Sequence, residues 1–555
     1  MYRLLFLIPF ITALLLTGCQ QSVDIEQAEQ SITEESLLDP IETLSSDEFE
    51  GRAPATRGEE LTLDYLTTQF EEMGIEPGMQ DGTYLQEFPL LGQQLDRESA
   101  AFRVNKNGET AEEFEYFDEF MAWPADEAER VDIQNAELLY VGYGIQAPEF
   151  DWDDYKDADV EGKVLVFKNS DPSSDPEIFE GDSRLYYGRW SYKFEKAEEM
   201  GALGAIIIHT VPTAGYPWLV VANSWGRERF LLKSGDEGGG TKPEFNSWLT
   251  TRSSQLLFEE AGLNLSEQLE AAESRDFIPV PLEGVSINVD LTASYSNMSS
   301  NNVLGKIEGT DPDLKDEYMV FTAHHDHLGM TRPVEGDSIN NGALDNAAGV
   351  SAVLNLSRAY KMVEPELRRS ALFLLVGAEE MGLLGSQYWA QNPTVHPGNV
   401  TANLNLDGMQ VFGETNDVVL VGYGRNTISD LIEEYAEKEG RVVKPDPNPQ
   451  QGYFYRSDHF SLAKVGIPAI FPNPGRDYVN KPDNYNAVVD SVRNSIYHNV
   501  RDEINEYWDL SGMEKDVRLF FRVGLHILNA DEKMEWVDGD EFEATREQML
   551  EEVEE

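Results

Sequence analysis

From residue 318 onward the chain alternates short apolar runs with amphipathic stretches: 318–323, 350–362, 371–376, 402–406, 418–421, 428–436 and 469–471. Short, unbroken apolar runs belong to strands buried on both faces, and the amphipathic stretches between them supply helices that cover those faces. This βαβ rhythm restricts the chain to an α/β fold, a mostly parallel mixed sheet flanked by helices. Two further helices are expected. One closes the fold over 510–528, and the other covers 59–73, where Leu63, Leu66, Phe70 and Met73 recur at helical spacing and Gly74 stands at the stop. Between about 130 and 280 the text turns strand-rich (138–143, 163–168, 205–209) around a helical segment at 192–200. An inserted β-rich domain accounts for the change.

The 555 residues carry 42 bases against 102 acids, a net charge of −60. Such a surface repels phosphate backbones and excludes nucleic acid as a partner; the excess reads as a solvated, salt-adapted exterior. The single cysteine, Cys19, excludes an intramolecular disulfide and any zinc site built on cysteines. Arg3 precedes an apolar run at 4–16 that is broken by Pro9, is too short to span a bilayer, and ends in LTGC at 16–19. This text resembles a bacterial lipoprotein signal, with residues 1–18 removed and Cys19 lipidated. Gln20 then implies sorting to an outer membrane, with the protein facing periplasm or exterior. Residues 19–35 read as a polar tether, and 531–555, with 12 acids and two bases, as an acidic tail that is either a solvated appendage or a frayed helix.

Several catalytic signatures are missing: no His-Glu-x-x-His, no Gly-x-Ser-x-Gly, and no Gly-Lys-Ser/Thr phosphate loop. Instead, His, Asp and Glu follow the apolar runs. VFTAHHDHLG at 320–329 sends a strand into three histidines and an acid, and NNGALDNAAG at 340–349 puts Asp345 before a helix, where an N-cap is the plain reading. GAEE at 377–380 places adjacent acids after a strand. LNLD at 404–407 ends another strand in Asp407, and IYHNVRD at 496–502 adds His498. Carboxyl ends of parallel strands open onto one crevice, and adjacent acids there repel unless a cation holds one and a proton or water the other.

LSSDEFEGR at 44–52, AHHDHLG at 323–329, GAEE, LNLD, SDH at 457–459 and GIP at 466–468 resemble the co-catalytic di-zinc aminopeptidases, metallopeptidase family 28, whose relatives include glutamate carboxypeptidases and transferrin receptors. The resemblance implies two Zn²⁺ per chain: His324 and Asp407 on one, Glu380 and His498 on the other, and Asp345 bridging. Glu379 falls at the general-base position and Asp326 behind His324. AELLYVGYG at 136–144, VEGKVLV at 160–166 and KAEEMGALGAIII at 196–208 resemble a protease-associated domain. The implied division is 36–130 for the N-terminal part of the peptidase domain, 131–280 for the insertion and 281–530 for the catalytic domain.

The expected activity is removal of N-terminal residues from peptides. A carboxypeptidase on the same metals, with Arg425, Arg456 or Arg476 for the substrate carboxylate, and a non-catalytic receptor-like binding protein are the alternatives. Tyr453 and Tyr455 are each a candidate donor to the oxyanion and equally a candidate core tyrosine, with the choice open. Leu344 stands where the family often has an acid, and His325 where it often has tyrosine. His325 and His327 are assigned to loop or supporting roles, with service as opportunistic ligands the alternative, His459 to structure or the cleft wall, and His209, His396 and His526 to structure or surface.

Overall fold

A computed structural model describes residues 24–125, 127–173, 178–181, 183–233 and 242–554, so the signal segment and Cys19 lie outside the described residues. Four parallel strands form the centre of the main sheet, in the order Ala469–Asn473, Val400–Asn405, Tyr318–His324, Ser370–Val376. Antiparallel strands flank them: Asp417–Val421 beyond Ala469–Asn473, and the far end of Val280–Ile307 beyond Ser370–Val376. The main sheet is therefore mixed with a parallel core, as the apolar runs imply.

Successive side chains of each central strand enter different cores. Ala371, Phe373 and Leu375 face one side, with Met319, Phe321 and the helices Ala348–Met362 and Ser511–Asn529. Leu372, Leu374 and Val376 face the other, against Trp389 and Leu462. Burial on both faces explains why these strands show no polar alternation. The helix Arg57–Met73 ends at Gly74, whose φ of 68° suits a residue without a Cβ.

A second sheet combines antiparallel ladders with four parallel strands, Arg130–Tyr140, Val164–Lys168, Gly204–Ile208 and Phe245–Leu249. It also takes in Ala101–Lys106, Glu109–Phe114 and Phe120–Pro124, which precede residue 131. The 28-residue strand Val280–Ile307 runs through both sheets, pairing with Arg130–Tyr140 at its start and Ser370–Val376 at its end.

Two expectations are corrected. Part of the supposed tether is folded: Ile25–Gln30 and Glu34–Leu44 are helices, Ala28 and Ile32 sit in the core, and Arg518 donates twice to the Ile32 carbonyl. The acidic tail is not a solvated appendage either. Trp536 and Phe542 are buried with Phe454, Phe460 and Phe471, and Arg425 pairs with Asp540 and Glu541; of the two readings of the tail, the helix is the one found, over Glu543–Glu554. In both segments a few apolar side chains anchor polar text. Among the described residues no helix is long and apolar enough to cross a membrane.

Candidate metal centre

Three adjacent parallel strands deliver the acids and the first histidine to one crevice. His324 ends Tyr318–His324, Glu379 and Glu380 follow Ser370–Val376 across Gly377–Ala378, and Asp407 follows Val400–Asn405. Asp345 lies in non-helical backbone ahead of Ala348–Met362 and caps nothing; its carboxylate turns toward the histidines instead. His324 Nε2 is 3.2 Å from Asp345 Oδ1 and 3.5 Å from Asp407 Oδ1. Across the cluster His498 Nε2 is 3.4 Å from Asp345 Oδ2 and 3.1 Å from Glu380 Oε2. Asp345 thus faces both histidines, one with each oxygen.

His327, assigned from sequence to a loop or supporting role, joins the second half of the cluster. It is fully buried, and it forms with Asp345 and Glu380 a group able to hold a metal ion, beside the group His324, Asp345 and Asp407. Its Nδ1 lies 2.7 Å from Glu380 Oε1, yet neither atom makes a hydrogen bond of acceptable geometry. Ligand atoms that converge without hydrogen bonding are what a cation site requires. Among the described residues only histidines pair with Asp345, Glu380 and Asp407. Carboxylates this crowded need positive charge between them, so the donor set fits zinc.

Electrostatics separate the two glutamates. Burial, with Asp458, Glu380 and Asp407 close by and only His324 opposing, raises the Glu379 carboxyl well above the ordinary range. Glu380 is also buried and faces Asp345, but His327 and His498 hold it down at about 2. Burial pulls His498 down, and Asp345 and Glu380 outweigh it to bring His498 up to about 10. A buried acid that favours its proton beside one that favours ionisation is the pairing of a proton carrier with a ligand.

The supporting contacts are specific. Asp326 accepts from the backbone N–H groups of Glu379 and Glu380 at 3.0 and 3.3 Å, while its own carbonyl lies 3.2 Å from His324 Nδ1. It therefore fixes the glutamate pair as well as His324. Ser457 donates to Asp407 at 2.6 Å, and Asn405 donates to Ser457. Asp502 accepts from the N–H groups of Leu344 and Asp345, both at 3.0 Å. Arg52, unassigned from sequence, is fully buried and donates to the carbonyls of Leu44, His325, Asn341 and Gly342. His325 turns away to the Asn301 carbonyl, and burial lowers it to about 4. Buried His459, near Asn405, is lowered to about 3 by burial and Arg425.

A cavity of about 570 Å³ opens above the cluster, and one of about 520 Å³ adjoins it on the Asp345–Asp407 side. Tyr497, which the sequence did not single out, lines both and stacks on His498 with ring centroids 3.9 Å apart. Tyr455 lines the first cavity, but its hydroxyl donates to Glu541 at 2.5 Å and accepts from Arg425. Tyr453 lines only the second. Of the three arginines weighed from sequence, Arg425 is held by Asp540 and Glu541, and Arg476 by Asp490; Arg456 remains on the cavity wall. His209, His396 and His526 lie elsewhere, against Tyr216, Glu552 and Tyr435.

Residues 302–520 match the profile of Peptidase family M28. Leupeptin-inactivating enzyme 1 of Streptomyces exfoliatus is 27% identical over 207 residues, 37% of this chain and 43% of that protein. Aminopeptidase YwaD of Bacillus subtilis (strain 168) is 29% identical over 216 residues, 39% of each chain. The matched stretches thus span less than half the length of these relatives. The solved aminopeptidase from Aneurinibacillus sp. strain AM-1 aligns over 91% of this chain and 96% of its own, at 17% identity and a TM-score of 0.48. Every residue of the metal cluster falls inside the matched segment, and residues 302–520 are a Peptidase family M28 domain.

Proposed function

We propose that the chain is a zinc-dependent exopeptidase, an aminopeptidase that removes N-terminal residues from peptides with two Zn²⁺ per chain. The observation that carries this reading is the convergence of five ligand-type side chains on one crevice beside a protonatable Glu379. His324 and Asp407 would hold one ion, Glu380 and His498 the other, and Asp345 both; His327 stands close enough to the second group to join it. Bound zinc supplies Lewis acidity, which acidifies water toward a pKa of ~7 and polarises a carbonyl.

The protein groups do the rest. Glu379 takes the proton of the attacking water and returns it to the leaving amine. Asp326 keeps Glu379 and Glu380 in register through their backbone N–H groups. The acid-lined floor attracts the free amine of a substrate, which favours cleavage at the N-terminal bond. The relative named aminopeptidase YwaD supports this choice.

The remaining assignments belong to the same reading. The second lobe acts as a protease-associated insertion that narrows the cleft, consistent with Arg189 and Trp190 on the cavity wall. Cys19 carries the lipid that anchors the protein to a bacterial outer membrane. The experiment is zinc content with activity on amino-blocked and carboxyl-blocked dipeptides. About two zinc per chain, loss of activity with chelator, recovery with Zn²⁺, and rejection of amino-blocked substrates are expected. Activity without bound metal contradicts the mechanism, and rejection of carboxyl-blocked substrates alone makes the protein a carboxypeptidase.

A further inference from the structure

The cavity above the metal cluster is electrically two-ended. Its floor is the acidic cluster, but its wall carries Arg189, from the turn leading into Trp190–Glu199, and Arg456, from the turn before His459–Ala463. Arg184 stands behind them, donating to the Thr213 carbonyl at 2.9 Å. Burial lowers Arg189 to about 10, with the Arg456 and Arg184 charges adding to the shift. The Nε atoms of Arg184 and Arg189 are buried without a hydrogen-bond partner. Among the described residues none of the three has an ion-pair partner.

The neighbouring acids are already occupied. Glu195 receives Lys464 at 2.8 Å and the Tyr186 hydroxyl, and Glu541 receives Arg425 and Tyr455. Buried Asp171 offsets the charge of Arg184, which leaves Arg189 facing Arg456 with no carboxylate between them, a costly arrangement in a chain with 102 acids and 42 bases. An anion entering between them relieves the repulsion, and a planar carboxylate suits the guanidinium fork. The floor, by contrast, favours a cation.

From this polarity, and resting on the exopeptidase reading above, we infer that the arginine wall is a carboxylate subsite. It takes peptides whose amine sits at the metal cluster and whose carboxylate, on the leaving-group side, reaches Arg189 and Arg456. A cavity of about 570 Å³ matches the volume of pockets that enclose ligands of small-peptide size. The carboxylate is either the C-terminus of a short peptide or an acidic side chain after the cleaved bond.

Three probes separate these sources: Ala-Ala, Ala-Ala amide and Ala-Glu amide. Hydrolysis of Ala-Ala should exceed that of its amide by about 10- to 100-fold in kcat/KM, the range of a charge-assisted hydrogen bond. Arg189→Gln and Arg456→Gln should each reduce that ratio through KM, with zinc content unchanged. Recovery by Ala-Glu amide identifies a side-chain carboxylate as sufficient; failure of Ala-Glu amide restricts the subsite to the C-terminus. Equal hydrolysis of all three probes, or a ratio unchanged in both variants, overturns the subsite. Calorimetric binding of Ala-Ala and its amide to the zinc-loaded Glu379→Gln protein tests the wall without turnover. A protein that cuts no peptide yet binds Ala-Ala tighter than its amide refutes the exopeptidase reading alone, and equal affinities refute the wall.

Discussion

Arg52 should be the most destabilising residue to change outside the metal cluster itself. Its guanidinium is fully buried and donates to Leu44 (2.6 Å), Asn341 (2.6 Å), His325 (2.9 Å) and Gly342 (2.9 Å). Three of those carbonyls, of His325, Asn341 and Gly342, belong to the segments that present His324, His327 and Asp345, and the fourth ends the helix Glu34–Leu44. Arg52→Met keeps most of the stem but leaves four buried acceptors without a donor. At about 1 kcal/mol net for each hydrogen bond the sum is about 4 kcal/mol, within the range of about 3–5 for breaking a buried charged network. Two readings test it: the urea midpoint, which should fall with m unchanged, and zinc affinity against a competing chelator, which should weaken as the two loops loosen. Arg52→Lys keeps the charge but not the fork and should fall between. If Arg52→Met shifts stability by less than about 0.5 kcal/mol and binds zinc normally, the loops are held by something else.

Other outcomes follow from the same contacts. Ser457→Ala removes the hydrogen bond to Asp407 and should weaken zinc binding by about 10- to 100-fold, read by chelator competition. Phe542→Ala opens a hole against Trp536 and Phe460 and should cost about 3–5 kcal/mol in urea denaturation, whereas a solvated tail would register almost nothing. Buried His459 is held near 3 against an ordinary 6.5, so the unfolded chain binds the extra proton as pH falls. Its contribution is full above pH 6.5 and is lost toward pH 3. Between pH 6.5 and 5 this amounts to about 2 kcal/mol, and His459→Leu should flatten the stability–pH curve there by that amount.

The central strands and their terminal acids were legible because a strand covered on both faces needs an unbroken apolar run, and its polar stop marks the crevice edge. Side-chain direction was not. His324, His325 and His327 lie within four residues, yet one faces Asp407, one turns to a carbonyl, and one meets Glu380. Those directions depend on where Ser370–Val376 and Val280–Ile307 lie, which local text does not carry. Asp345 read equally as a cap; only His324 and His498, from distant segments, distinguish its role. The folded ends escaped notice for a related reason. Residues 24–35 and 531–554 are mostly polar, and the few apolar side chains that hold them, Ala28, Ile32, Trp536 and Phe542, show no periodicity of their own. Arg52 had no sequence signal beyond its place in LSSDEFEGR, since its work is done on carbonyls.

Glu379 and Glu380 are neighbours in the chain with opposite assignments, so measuring turnover and bound zinc together on Glu379→Gln tests the account at its centre. The amide keeps the size of the side chain and cannot accept the proton. The account predicts that kcat falls by about 10²–10⁴ while both zinc ions stay bound. Full turnover would remove Glu379 from the mechanism, and loss of zinc would make it a ligand.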